Sequence, residues 1–493
     1  MNPLKKLAGE TAIYGVSSIV GRFLNWLLVP LYTYIFHPAE FGIVAYLLSY
    51  VALFLVLLTF GMETGYFRFA NKEGKADITF TTGFLSLIAS SLIFWILVLI
   101  FLNPLSAHMN ISDHKEYILL LAATLGLDAI TALPFAKLRL QNRAFRYAGL
   151  KLINIFTNLG INLFFLVLCP WIHKNFPGVP IEKIWNPNIG VGYIFIAFCA
   201  ASVVNFVLLL PDFKSVKFRM DWSLLKEILS YSWPILIVSI CGQINLNLDK
   251  MLMPDLIPAS KDPMYQTGIY AANYKLAVIM TLFIQAFRYA FEPFFFSQAK
   301  QENSKQVYAD VLKYFTLFCL LIFLGVMFYI DIVKLLIKSN YHEGLSIVPY
   351  VLLANLFFGV FFSLSLWYKL SDKTRYGAIM AIIGSVITII LNIILVPRIG
   401  YQGAAYAVFI CFAIMMIVSY LLGQKYYPVP YDIKRILFYF VFAMFLFAIA
   451  TQIKIENQWL KMLAKTPLLL AFIGLVIQQE KLWEPIKRTL KLK

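Results

Sequence analysis

The chain has 493 residues, of which 61% are hydrophobic and 14% charged, and its mean hydropathy is +0.77. A soluble globular domain carries about 25% charged residues, so a water-soluble fold is excluded. The formal charge of +17 does not indicate a nucleic-acid partner, because the basic residues are dispersed among short loops and form no patch beside stacking aromatics.

Met1 to Leu7 is short and carries Lys5 and Lys6 ahead of a long apolar run, without the short apolar region and small-residue cleavage site of a signal peptide. The first helix, with Arg22, is therefore expected to be retained. A helix needs about 20 apolar residues to cross the hydrocarbon core. Such runs predict spans at 11–36, 39–66, 78–102, 116–136, 149–171, 189–210, 231–253, 266–296, 309–333, 345–368, 376–396, 403–424, 435–452 and 462–479. The expected fold is thus an all-α polytopic membrane protein of about 14 transmembrane helices. Cys169, Cys199, Cys241, Cys319 and Cys411 fall in or at the ends of these runs and read as small buried side chains.

With a cytoplasmic N-terminus, the inside loops hold Lys137, Arg139, Arg143, Arg146 and Lys151, then Lys214, Lys217, Arg219 and Lys226, then the cationic C-terminal tail. About 28 Lys and Arg fall inside, about 10 outside and about 4 within spans, the asymmetry of the positive-inside rule. Both termini are accordingly expected in the cytoplasm.

An internal repeat runs through the chain. Ser18-Ile19-Val20-Gly21-Arg22 matches Ser239-Ile240-Cys241-Gly242-Gln243, and Gly42-Ile43 with Tyr46 matches Gly268-Ile269 with Tyr270 and Tyr274. Asn162 with its apolar run resembles Asn392, and Gly190 to Tyr193 resembles Gly403 to Tyr406. An offset near 220 residues fits a six-helix unit, repeated in the same orientation, an arrangement used by transporters with a site near the midplane. The expected division is an N-lobe at 1–211, a C-lobe at 212–430, and an appended helix pair with a cytoplasmic tail at 431–493.

An ionisable side chain at mid-bilayer costs about 2.5 to 3.5 kcal/mol on insertion scales, so one that persists faces a cavity or a partner. Arg22 lies roughly 16 Å into the first span at about 1.5 Å per residue. Ser18 and Asn25 share its face. This stripe suits a cavity wall presenting a guanidinium to phosphate; a buried ion pair with Asp128 of span four is the alternative. Asp128 is equally placed to take a proton or sodium ion in coupling.

Span seven carries Gln243, Asn247 and Lys250 on one face and Asn245 and Asp249 roughly opposite, unless a break near Pro254 brings them together. In span eight, Gln285, Arg288 and Glu292 form a stripe, with Arg288 and Glu292 spaced for an ion pair or for substrate contact. Lys275 lies on another side and suits an access or release contact. Arg68, beside Glu63 at the end of span two, reads either as a cytoplasmic-gate contact or as an interfacial cation. The expected substrate-binding set is Arg22, Asn25, Gln243, Asn247, Lys250, Lys275 and Arg288. Asp128, Asp249 and Glu292 are expected in ion coupling or pairing. No metal ligands and no cofactor are expected.

Glu10-Thr11-Ala12-Ile13-Tyr14-Gly15, Gly21-Arg22, Pro30-Leu31-Tyr32 and Glu40-Phe41-Gly42 resemble the first helices of the polysaccharide transporter family. These are Wzx-type flippases of the multidrug/oligosaccharidyl-lipid/polysaccharide exporter superfamily. Ser232-Trp233-Pro234, Asp249 and Gly268-Ile269-Tyr270 resemble its second lobe, and Gly400 to Ala405 the glycine-rich start of span twelve. The resemblance implies two six-helix lobes that open a cationic cavity alternately to cytoplasm and periplasm while a polyprenyl-diphosphate-linked glycan crosses the bacterial inner membrane. Its expected partners are that lipid-linked glycan, membrane lipids and other polysaccharide-assembly membrane proteins. The drug/cation antiporter and lipid II flippase branches are the near rivals. A membrane glycosyltransferase or polymerase is the rival of another class, disfavoured because the longest outside loop, 172–188, is too short for a catalytic domain. No G-x-x-x-x-G-K-[ST] loop is present, and a non-enzymatic transporter is the expectation.

Overall fold

The computed structural model describes residues 20–71, 76–215, 219–298, 301–371 and 373–481. Residues 20–26 are helical and lead into α1 (Leu28–Ile35). There follow α2 (Pro38–Ala70), α3 (Ala76–Ile100), α4 (Ser112–Leu140), α5 (Ala144–Asn175), α6 (Gly192–Phe213) and α7 (Trp222–Leu256). Then come α8 (Pro263–Leu276), α9 (Val278–Gln298), α10 (Ser304–Phe328), α11 (Ser339–Leu370), α12 (Arg375–Ile399), α13 (Tyr401–Tyr426), α14 (Ile433–Gln452) and α15 (Gln458–Gln479). No strand occurs among the described residues. Twelve of these helices are long and apolar enough to span a membrane, or thirteen with the bent pair α8 and α9 taken as one. The polytopic all-helical fold is as expected. The first expected span, 11–36, begins in residues outside the described ones.

Local chemistry sets the helix starts. His37 precedes Pro38 at the first turn of α2, and a capping box closes it, the His37 amide donating to Glu40 Oε2 at 2.8 Å. Asp221 caps α7 through the Leu224 amide at 3.0 Å, and Asn457 caps α15 through Trp459 and Leu460. Inside α2, Phe60 at φ 50° and Gly61 at φ 65° interrupt the helix with two left-handed residues. The glycine takes this conformation at no steric cost.

Two sequence expectations need correction. Pro254 does not break span seven, because it falls in the last turn of α7, which ends at Leu256. Span eight is not one straight helix: α8 and α9 meet at a 53° bend. There the Ala277 amide bonds to Tyr274 and the Met280 amide to Ala277, tightening the chain to i→i+3 bonds across the break.

The chain forms two compact units, one of Met1–Ala271 with Thr388–Gly400, the other of Ala272–Ile387 with Tyr401–Lys493. In the first, α3 and α6 pack on α4, and α7 on α2. Met62, Tyr66, Phe80, Phe84, Leu133 and Ile228 belong to one of its core clusters. The Trp95 indole donates to the Ala122 carbonyl at 2.8 Å, tying α3 to α4.

The same unit contains one very close helix approach. A Cβ on Gly42 of α2 would lie 1.9 Å from the Met264 carbonyl oxygen, and one on Gly268 of α8 would lie 1.8 Å from that of Pro38. Only glycine lets the two backbones meet so closely.

In the second unit α11 packs along α13, with Tyr350 against Tyr406 and Phe358 against Phe412. Helices α14 and α15 are held to α10 by ions. Lys313 of α10 donates to Glu480 Oε2 at 2.6 Å, while Tyr439 of α14 donates to Oε1 at 2.7 Å. Beyond the other end of α10, Asp331 takes Lys334 at 2.7 Å and Lys461 of α15 at 3.0 Å.

Burial would push the Glu480 carboxyl up, but the hydrogen bonds from Lys313 and Tyr439 and the charges of Lys313 and Arg435 outweigh it and hold it below the usual carboxylate range. Its stabilisation is therefore complete above the unfolded-state value near pH 4.3 and is lost as pH falls through the lowered folded value. Glu480→Gln should cost about 2 kcal/mol or more at pH 7, since a buried lysine loses its closer counter-ion and keeps only Asp310 at 3.7 Å, and should flatten the acid limb of a detergent-phase unfolding profile. A variant with the wild-type acid limb would refute this.

Candidate functional site: a polar cavity among α2, α4, α5 and α6

A cavity of about 440 Å³ lies inside the first unit and is lined by residues of α2, α4, α5 and α6, with Asn25 from the segment before α1. Its polar groups lie in otherwise apolar spans. Asp128 of α4 accepts a hydrogen bond from the Ser202 hydroxyl of α6 at 2.7 Å. Around it stand Thr131, Lys151, Asn154, Asn158 and Asn205. The Lys151 ammonium lies 4.1 Å from the centroid of the Phe135 ring, a cation–π contact. Asn205 is 4% exposed and its Oδ1 has no hydrogen-bond partner among the described residues. Its free acceptor lies in the wall of the cavity that Asp128 also lines.

The polar series continues away from the cavity along α5. Asn162 donates to Asn158 Oδ1 at 2.7 Å and accepts from the Tyr32 hydroxyl of α1 at 3.0 Å. At the cavity margin, Glu63 of α2 pairs with Arg139 of α4. The Arg139 guanidinium stacks over Phe67 at 5.1 Å. Arg146 of α5 meets Asp212 at 2.6 Å.

The sequence-predicted residues divide into several places. Asp128 and Asn25 both line this cavity. Arg22 is exposed and makes no hydrogen bond or ion pair with any described residue, so the Arg22–Asp128 pair does not form here. In α7, Asn247 donates to Gln243 at 2.9 Å, and Lys250 pairs with Asp249 at 2.9 Å. Asp249 also takes a short hydrogen bond from the Tyr270 hydroxyl of α8, and Asn245 accepts from Thr388 of α12 at 3.3 Å. The face of α7 with Asn245 and Asp249 is thus a packed polar contact with α8 and α12. In the second unit Arg288 stacks on Phe362 at 4.1 Å, and Lys275 is exposed. The Glu292 side chain lies outside the described residues. Arg68 stacks on Tyr231 at 4.0 Å.

Sequence reasoning missed Lys151, Asn154, Asn158, Ser202 and Asn205. From sequence Lys151 reads as a loop cation, yet α5 begins at Ala144 and places it two turns inside. The spacing Lys151, Asn154, Asn158, Asn162 repeats every three or four residues, one face of a helix, and was the signal available. No cluster of three or more His, Cys, Asp or Glu side chains suited to a metal occurs among the described residues.

Known proteins match this chain by family and by fold. No curated protein sequence matches it. The structure is similar to the lipid II flippase MurJ in an inward closed conformation, with a TM-score of 0.71 and 15% identity, covering 95% of this chain and 99% of MurJ. It is also similar to a multidrug resistance MATE family transporter of the MOP superfamily in its inward-facing conformation, with a TM-score of 0.67, 13% identity and coverage of 82% and 93%. The outward-facing MATE structure gives 0.60 at 13% identity, with coverage of 86% and 96%. At these identities the likeness is one of fold. A model described as polysaccharide biosynthesis protein matches residues 7–299, and the chain, a multi-pass membrane protein, belongs to that family.

Proposed function

We propose that the chain is a flippase that moves a polyprenyl-diphosphate-linked oligosaccharide or related glycolipid precursor across the bacterial inner membrane, with both termini cytoplasmic. It works by alternating access of two six-helix lobes, 1–211 and 212–430, with the segment 431–493 appended. The observation that carries a transport reading is the Asp128 cavity: a carboxylate, a lysine and the five neutral polar side chains of Thr131, Asn154, Asn158, Ser202 and Asn205 in apolar spans are expensive unless they handle an ion. Membership of the polysaccharide biosynthesis family supports a glycan-bearing substrate.

A diphosphate cannot enter hydrocarbon alone, so its carrier needs cations within the membrane. Arg22, Lys250, Lys275 and Arg288 supply them, with Asn25, Gln243 and Asn247 as polar contacts and Arg68 near the cytoplasmic gate. Asp128 couples translocation to an ion gradient, and Asp249 and Glu292 hold neighbouring cations. Other polysaccharide-assembly membrane proteins act before and after it.

The test is a deletion strain analysed for accumulated lipid-linked intermediates, since the trapped molecule identifies the substrate. Trapped lipid-linked oligosaccharide supports the reading. Trapped lipid II assigns the chain to that branch, and drug sensitivity without any trapped lipid assigns it to the antiporters. Complementation by an Arg22→Ala, Arg288→Ala double variant is expected to fail at wild-type protein level. Arg22→Lys should restore only part, because an ammonium lacks the planar fork that grips phosphate. Normal surface glycan in the double variant would remove both arginines from the substrate path.

A further inference from the structure

A second cavity, of about 550 Å³, opens where the end of α10 meets α14 and α15. Its floor is apolar, with Met327, Phe447 and Ala450, and its wall carries Lys454, Lys461 and Lys465 against the single acid Glu456. Lys465 is 5% exposed, yet makes no hydrogen bond and no ion pair with any described residue. It stands one turn after Lys461 on the same face of α15, about 10 Å from the helix start at about 1.5 Å per residue. Lys461 is held by Asp331, which also holds Lys334. The lining thus sets Lys454, Lys461 and Lys465 against Glu456, an excess of two positive charges, with the neutral Lys334–Asp331 pair beside Lys461.

We propose that this cavity binds the phosphate of an anionic phospholipid headgroup at the membrane surface, with the Lys465 ammonium as the buried contact and Lys454 at the rim. Three features fit a lipid better than a soluble anion. The floor is apolar. Trp459, Leu460 and Leu463 lie exposed along α15, Trp459 being 71% exposed, where an interfacial tryptophan sits at headgroup depth. The lysines lie in the loop and first two turns of a spanning helix, the depth at which lysine reaches phosphate. The site is separate from the Asp128 cavity and does not depend on the flippase reading.

The test uses the purified full chain in detergent, titrated with phosphatidylglycerol, phosphatidylcholine or inorganic phosphate and read by native mass spectrometry. Phosphatidylglycerol should be retained over phosphatidylcholine by roughly fivefold per lysine engaged, and the preference should disappear in Lys465→Met. Lys454→Gln, at an exposed loop position, should lower it without touching the core and decides the matter if Lys465→Met does not fold. Competition by inorganic phosphate as strong as by the lipid would keep the phosphate site and assign it to a soluble source. Equal retention of the two lipids by the wild-type chain, or an unchanged preference in the folded variants, would overturn the proposal.

Discussion

Gradient-driven translocation by an Asp128→Asn variant is expected to fall by about 5- to 150-fold, the range spanned by a coupling free energy between two sites. Asparagine keeps the shape of the side chain and an oxygen for the Ser202 hydroxyl, which now donates at 2.7 Å. It holds neither a proton nor a charge at neutral pH. The cavity would then keep Lys151 and the free acceptor of Asn205 but lose the carboxylate that Ser202 of α6 holds on α4. The fold should survive, because the packing around Asp128 is unchanged and the lost charge was a cost of burial. Reconstitution with an imposed proton or sodium gradient measures the effect, and the ion whose gradient no longer accelerates transport is the coupled one. Ser202→Ala should do less, removing one hydrogen bond to the carboxylate while leaving the charge. An Asp128→Asn protein that still responds fully to both gradients would exclude the residue from coupling.

Gly42→Ala and Gly268→Ala are each expected to destabilise the chain by about 2 kcal/mol or more, at or above the upper part of the range for overpacking. At each position the new methyl would meet a backbone carbonyl oxygen, 1.9 Å away in one case and 1.8 Å in the other, so no side-chain rotation relieves it. The helices themselves must part. Because both methyls force the same separation, the double variant should cost clearly less than the sum of the two singles. Thermal unfolding in detergent of the two singles and the double provides the cycle. Strict additivity would mean that α2 and α8 do not share this contact in the folded protein.

The spans were legible because runs of leucine, isoleucine and phenylalanine have one cheap destination, and each expected span from 39–66 onward coincides with a helix or the bent pair. The bend at Ala277 was not legible, since neither proline nor glycine marks it and the local hydrogen bonds are set by packing. Pro254, the alternative break point in span seven, makes no break because the helix ends two residues beyond it. For the cavity, Asp128 stands out by its charge and Asn154 and Asn158 are marked only by their helical spacing from Lys151, whereas nothing in the sequence joins Asn205 to them before α4, α5 and α6 bring them together. Gly42 and Gly268 are equivalent positions in the sequence repeat. Equivalence gave no sign that they touch.

The ion pair between Lys313 and Glu480 also has a schedule. The two residues are 167 positions apart, which at about 5–20 residues per second of synthesis separates them by roughly 10–30 s. During that interval α10 enters the bilayer with Lys313 paired only to Asp310, at 3.7 Å on the same helix, and without its closer partner. The long aliphatic stem lets the ammonium reach the headgroup layer in the meantime. When α15 arrives, Glu480 replaces those lipid contacts and Tyr439 closes the other side of the carboxylate. The last two helices thus complete a charge pair begun in the middle of the chain, and a ribosome that stops short of them leaves that lysine to the lipids.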